Sequence, residues 1–189
     1  RFHYGEKIRI DHQYFPTGFY DRHRLTEILF PNALSAPPFH TFGISPSMCG
    51  KLFRRTLAEA NAEALNTGIR LGEDACFTYS VLLDCRGVYL SDCSGYGYRQ
   101  NPESVTHRFH PALLTEGEKL RSFFLDMAER KKWDAGNQIE AYIAYVCAGV
   151  TCSALTSSYM KTPGAKQTVR NYLDALLPKE FGSRKEDYV

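Results

Sequence analysis

Leu71-Gly72-Glu73-Asp74-Ala75-Cys76-Phe77-Thr78-Tyr79-Ser80-Val81-Leu82-Leu83 decides how this chain is organised. A glycine and two carboxylates open a run that is apolar on nearly every side, so the segment reads as a helix from Glu73 to about Cys85, central to the core. Acidic side chains suit a first turn, at about 0.3 to 1 kcal/mol each. Gly87 ends the helix.

Upstream, the spacing predicts a short strand around Lys7-Ile8-Arg9-Ile10 and a turn at Pro16-Thr17-Gly18. Asp21 is placed to cap a helix from Arg22 to Phe30 that Pro31 ends. The loop Ser35-Ala36-Pro37-Pro38 precedes an apolar segment, Phe39 to Ile44, that reads as a strand. Ser45-Pro46 is a helix start, because serine can accept a free N–H and proline in the first position loses no bond. Phe53, Leu57, Ala60 and Ala64 then share one face, Arg55, Glu59 and Glu63 another, and Gly68 stops the helix. Downstream, Val88-Tyr89-Leu90 and Tyr96-Gly97-Tyr98-Arg99 read as a strand pair or one bent strand.

The remainder reads as helices over Pro111 to Trp133, Asn137 to about Met160 and Lys166 to Leu177, with a polar, frayed tail from Gly182 to Val189. The expected fold class is α/β: an irregular first part with a few short strands, then a helical second part. With 189 residues and no composition break, one domain is expected over 1–189.

The composition is 43% apolar and 13% aromatic, which excludes a disordered chain. A formal charge of +2 is too small to point to nucleic acid or an anionic membrane. Cys49, Cys76, Cys85, Cys93, Cys147 and Cys152 form no CxxC pair, and several lie in apolar helical patterns, so reduced thiols and a cytoplasmic location are expected. The uncharged stretch Ala141 to Met160 is long enough for a bilayer but holds Thr151, Ser153, Thr156, Ser157 and Ser158. A buried core helix is the better reading. The chain opens on Arg1 with no signal-peptide pattern and reads as a piece of something longer.

Glu73 and Asp74 carry the first chemical question. Alone, they read as helix capping. A carboxylate held on a rigid element at the rim of a core also suits a general base that takes a proton from an attacking hydroxyl. Two other pieces flank it: Ser47-Met48-Cys49-Gly50-Lys51-Leu52-Phe53-Arg54-Arg55 before, and Tyr96-Gly97-Tyr98-Arg99-Gln100-Asn101-Pro102-Glu103-Ser104-Val105-Thr106 after.

In this order the pieces resemble the second half of bacterial family 2 glycosyltransferases of the capsule and cell-surface polysaccharide type. That pattern is a helix reading roughly N-K-L-[YF]-[RK]-R, then G-E-D opening a helix, then Y-x-Y-R followed by Ser-x-Ser/Thr. Gly18-Phe19-Tyr20 and the helix to Pro31 resemble the segment before the first motif, so the likeness covers about residues 18 to 107.

Gly50 departs from the family's Asn, and this chain contains neither the Rossmann-like nucleotide half nor its Asp-x-Asp metal motif. The resemblance therefore implies the acceptor-side part (1–107) of a GT-A-like catalytic domain, followed by a helical extension (108–189). It implies an inverting transfer with Asp74 as base and Glu73 orienting the acceptor or the loop. Lys51, Tyr98, Arg99 and Ser104 match the substrate-binding motifs. The implied partners are a nucleotide-sugar donor and a sugar or lipid-linked acceptor, with Mg²⁺ or Mn²⁺ in the intact enzyme. A homodimer, or a place at the inner face of the cell membrane, is compatible with this. No metal site is expected in the chain itself, and the fragment alone is expected to be inactive.

Rival classes are weaker on residue spacing. His107-x-x-His110 is too close and Cys85 to Cys93 too far for a structural zinc site; His107 could instead complete a divalent-metal site in the intact enzyme. The basic groups Lys51, Arg54, Arg55 and Arg130-Lys131-Lys132 are interrupted by Glu59, Glu63, Glu129 and Asp134, so they read as solvated helix faces and not as a nucleic-acid surface. A non-catalytic helical interaction domain over 111 to 177 is the remaining alternative.

Overall fold

A computed structural model describes residues 2–4, 7–9, 13–38, 41–65, 67–93, 95–99 and 109–176, the short segments 2–4, 7–9 and 98–99 as backbone. The elements in chain order are β1 (Phe2–Tyr4), β2 (Lys7–Arg9), β3 (Gly18–Asp21) and α1 (Arg22–Arg24), which widens into a π turn (Leu25–Leu29) and closes with a 3-10 turn (Phe30–Asn32). Then come α2 (Arg55–Ala60), a 3-10 turn (Ala62–Leu65), α3 (Glu73–Asp84), β4 (Gly87–Leu90) and β5 (Tyr98–Arg99). The last part is helical: α4 (Glu116–Arg130) behind the 3-10 turn Pro111–Thr115, α5 (Gln138–Thr156), a 3-10 turn (Ser158–Lys161) and α6 (Ala165–Leu176). The structure is thus a helix-rich α/β arrangement.

α3 is the axis of the fold. Every residue from Ala75 to Leu83 is buried, so its all-round apolarity has the predicted consequence. Tyr79, Phe124 of α4 and Tyr142 of α5 stack edge to face in sequence, with ring centroids 6.0 Å and 5.5 Å apart, a geometry the ring quadrupoles favour. Tyr79 donates its hydroxyl to the Ile44 carbonyl, which satisfies the one polar atom that this buried ring brings inside.

Gln138, buried at the start of α5, stitches the two parts of the chain together. Its Oε1 accepts the Leu34 N–H at 3.0 Å, while Nε2 donates to the carbonyls of Phe30 and Ala135 at 3.0 and 3.1 Å. Trp133 Nε1 donates to the same Phe30 carbonyl at 3.3 Å. A buried amide left unpaired would cost about 1 to 3 kcal/mol. These bonds therefore select one docking of α5 against the turn after α1. The core draws on both parts, from Phe15 to Leu176.

Several expectations need correction. The helix foreseen from Ser45 onward is a bent turn up to Arg54, and α2 begins only at Arg55. Arg54 is extended (φ −62°, ψ 126°) and Gly50 is left-handed (φ 72°), which no continuous helix permits. The strand foreseen at Phe39 to Ile44 is reduced, among its described residues, to one bridge between Ala36 and Thr41. Val88–Leu90 and Tyr96–Arg99 do not pair with each other. β4 runs antiparallel to β3, with Phe19 opposite Tyr89, whereas β5 lies parallel to β1 in the sheet order β2-β1-β5.

The helix at Arg22 begins as foreseen, with the Asp21 carboxylate accepting the Arg24 N–H at 2.9 Å. Helices α4 and α5 fall within the expected segments and α6 begins one residue early, at Ala165; 3-10 turns precede α4 and follow α5. α5 is long and apolar enough to cross a membrane by length and composition, and its buried side, including Tyr142, Ile143, Val146, Cys147 and Val150, packs in the core. The polar tail lies outside the described residues.

Candidate active site at the start of the central helix

Gly72 sets the direction in which α3 begins. Its φ of 95° is one that side chains rarely adopt, and a Cβ there would meet the Leu120 methyls at 3.1 and 3.2 Å. A glycine here lets the chain turn sharply against α4 and leaves Glu73 and Asp74 in the first turn.

Asp74 faces the Ser45–Arg54 turn. Its Oδ2 accepts the Met48 N–H at 3.1 Å and the Ser47 hydroxyl at 3.3 Å. The Ser47 Oγ in turn accepts the Cys49 N–H at 3.1 Å. Both bonds to Asp74 fall on one oxygen, and Oδ1 carries no hydrogen bond among the described residues. The carboxylate is thus fixed in orientation with one oxygen left for a proton. Phe53 closes the turn onto the helix by meeting the Phe77 ring edge-on, centroids 5.3 Å apart.

Lys51 is the cation of this site. It is half-buried, and its ammonium donates to the Ser47 carbonyl. Burial lowers its pKa from 10.5 to about 8, against the opposing pull of Asp74 and Cys49. A lysine in this range carries a proton that can be surrendered near physiological pH.

Glu73 is half-buried beside Asp74 and close to two buried groups. Cys76 is pushed up to about 12, first by burial and then by the Glu73 charge. Tyr142 is raised mainly by burial, with smaller contributions from Cys76, Tyr145, Glu73 and Asp74. Both groups therefore stay protonated near neutral pH. They wall the site with neutral atoms beside Asp74, Glu73 and Lys51.

The structure brings three of the six expected site residues together: Lys51, Glu73 and Asp74. Tyr98 and Arg99 form β5 in the other sheet, where the backbone pairs Tyr98 with Phe2 and Arg99 with His3. Ser104 and His107 lie outside the described residues. Sequence reasoning missed the partners of Asp74, namely Ser47 and the Met48 amide, because Ser45-Pro46 looked like a helix start. It also left Tyr96 in the strand reading. A Cβ added to Gly50 would sit 3.6 Å from the Cβ of Tyr96, so that tyrosine stands against the turn that carries Lys51.

Among the described residues, no three His, Cys, Asp or Glu side chains stand together as a metal site. All six cysteines are free thiols, with Cys76 and Cys147 buried and Cys49, Cys93 and Cys152 exposed. No protein family, curated protein or solved structure compared with the chain matches it.

Proposed function

We propose that this chain is the acceptor-side part of an inverting glycosyltransferase of the family 2, GT-A-like type, acting in cell-surface polysaccharide synthesis. The observation that carries the reading is the Asp74 carboxylate, pinned through one oxygen and open at the other, on a rigid helix beside a half-buried lysine. It stands where the order of motifs puts the acceptor base.

In the reaction, Oδ1 of Asp74 takes the proton of an acceptor hydroxyl as that oxygen forms its bond to the anomeric carbon. The bond from that carbon to the nucleoside diphosphate breaks in the same displacement, and the diphosphate leaves with the electron pair. Lys51 offers positive charge and a donor to the substrate; Glu73 orients the acceptor. Tyr98, Arg99 and Ser104 complete the substrate-binding set by their place in the motif. The donor is a nucleotide sugar bound with Mg²⁺ or Mn²⁺ on a nucleotide half outside this chain. The acceptor is a sugar or lipid-linked sugar, at the cytoplasmic side.

A structural clasp is the second reading, favoured by the same two bonds to Oδ2, which tie residues 47 and 48 to α3. The deciding experiment measures sugar transfer by the intact enzyme containing this chain from a panel of UDP, GDP and dTDP sugars, with Asp74→Asn beside the wild type. Transfer that depends on Asp74 supports the enzyme; wild-type turnover in a folded Asp74→Asn enzyme overturns it.

A further inference from the structure

The opposite end of α3 carries a feature that the sugar-transfer reading does not use. About 15 Å from Asp74 along the helix axis, at 1.5 Å per residue, a surface cavity of about 700 Å³ is lined by Arg22, Asp84, Arg86, Arg130 and Lys131 together with Leu83 and Cys85. Four cations face one carboxylate in the lining. They come from α1, from the turn after α3 and from the end of α4, so their convergence is invisible in the sequence.

The fold holds two of these cations in place. Arg22 donates to the carbonyls of Leu83 and Cys85 at 2.9 and 3.1 Å, and its guanidinium lies 5.2 Å from the centre of the Phe30 ring. Those bonds satisfy carbonyls at the negative end of the α3 dipole and still leave donors on a planar fork with five N–H groups. Lys131 reaches Asp84 at 2.7 Å and Asn61 Oδ1 at 3.2 Å, and its side chain is only 17% exposed. Arg130 pairs with Asp126 at 2.8 Å on the exposed rim. Arg86 is exposed and makes no hydrogen bond or ion pair among the described residues. Asp84 pairs with Lys131 and also answers the Arg22 charge, and Asp126 pairs with Arg130, so four cations stand against two carboxylates and Arg86 is left without a carboxylate partner among the described residues. A second cavity of about 810 Å³ shares Arg22, Leu83 and Lys131 and continues past Phe30 and Trp133.

We propose that this cationic cavity binds a phosphoryl or diphosphoryl group, whose organic portion extends into the adjoining cavity beside Trp133. Bidentate guanidinium forks match phosphate oxygens in geometry as well as charge. The apolar neighbour suits the rest of a phosphate ester. The site needs neither Asp74 nor Lys51, so it stands or falls apart from the sugar-transfer reading.

The test uses pyrophosphate as the free probe and vesicles of phosphatidylcholine with phosphatidic acid as the lipid-borne one. Backbone amide shifts are followed by NMR at low salt for the wild type, Arg86→Gln and Arg130→Gln. Sub-millimolar pyrophosphate binding is expected, with shifts centred on Arg22, Arg86 and Lys131. Loss of one charge-assisted contact in Arg86→Gln should weaken it roughly tenfold. Binding to the phosphatidic acid vesicles alone, lost in the same variants, would support the phosphoryl site with a lipid as its source. Because Arg86 holds nothing in the fold, its variant should melt as the wild type does; Arg130→Gln serves if it does not. Absence of shifts with both probes, or affinities that both variants leave unchanged, would overturn the proposal.

Discussion

The hydroxyl of Ser47 and the carboxylate of Asp74, 27 residues apart in sequence, meet at 3.3 Å, and the same carboxylate oxygen holds the Met48 amide at 3.1 Å. One side chain thus both anchors a turn and presents a free oxygen. Anchor and base can be separated, because an amide can accept the two hydrogen bonds but cannot take a proton. On the sugar-transfer reading, Asp74→Asn is expected to lower kcat of the intact enzyme at least about a hundredfold, the low end for general-base help, with little change in melting temperature. Asp74→Ala removes the anchor too and should cost about 1 to 2 kcal/mol of stability as well. Melting and turnover, measured on both variants, separate the roles. Turnover kept in Asp74→Asn, with stability lost only in Asp74→Ala, would make Asp74 a clasp and not a catalyst.

Ser47→Ala tests the orientation of that carboxylate. It deletes the hydroxyl that reaches Asp74 and also the acceptor for the Cys49 N–H. The Met48 bond stays, so the fold should lose only about 0.5 to 1.5 kcal/mol. If orientation matters to catalysis, kcat should fall several-fold with KM nearly unchanged. An equal loss in Ser47→Ala and in a distant surface variant would remove Ser47 from the site.

Gly72→Ala should cost about 1 to 2 kcal/mol from the left-handed backbone alone. The added methyl also meets Leu120, which is wholly buried and has little room to retreat. A denaturant midpoint unchanged from the wild type would show that Gly72 does not hold the conformation described.

The central helix was legible because its signal is local: an uncharged, mostly apolar run with acids at its start and a glycine beyond its end. The turn from Ser45 to Arg54 was not. Ser45-Pro46 is a sound local start signal, but Asp74 captures the Met48 amide from far along the chain, and tertiary bonding outweighs a cap worth about 1 kcal/mol. Strand segments at Lys7–Arg9, Gly87–Leu90 and Tyr98–Arg99 were legible, but their pairing was not, for a related reason. Gly18 pairs with Leu90 and Phe2 with Tyr98, so neighbouring segments in the sequence went to different sheets. Short strands carry too few residues for alternation to name their partners. Within the candidate site, Glu73, Asp74 and Lys51 were legible as residue types in order, whereas Ser47 became visible only when the turn was seen to bend back onto α3.

Glu116 offers a stability test away from the site. Only 2% exposed, it accepts the Arg70 N–H and pairs with Lys119 at 2.9 Å. Burial pushes its pKa up, but the bonds from Lys119 and Arg70 outweigh it, so the folded-state value lies below 4.5. A carboxylate depressed on folding contributes stability above its unfolded pKa and loses it as the pH falls through the folded value. Glu116→Gln is therefore expected to be less stable than the wild type at pH 7, by about 1 to 3 kcal/mol. The gap should narrow as the pH falls below 4.5. A gap that stays constant from pH 7 to about pH 3 would mean that Glu116 titrates alike in both states.

Lys51 should show the opposite pH signature. Its pKa falls from 10.5 to about 8 on folding, so between those values the unfolded chain binds more protons than the native one. Stability then rises with pH across that window, because unfolding takes up a proton that the folded state has already released. Below about pH 8 the buried ammonium imposes its full cost on the fold, and above 10.5 the lysine is neutral in both states and the cost is gone. Lys51→Met keeps the length of the side chain and removes the charge, so it should be more stable than the wild type near pH 7, by an amount of order 1 to 3 kcal/mol. The bond from the ammonium to the Ser47 carbonyl is lost in exchange, which reduces the gain. Chemical denaturation from pH 7 to 10.5 should show the difference shrinking. On the sugar-transfer reading, the same variant should raise KM of the intact enzyme, while kcat, if Asp74 alone is the base, changes less. A Lys51→Met protein that is less stable than the wild type at every pH would show that the ammonium is a net support of the turn, and a direct titration of its Nζ would then place its pKa near 10.5.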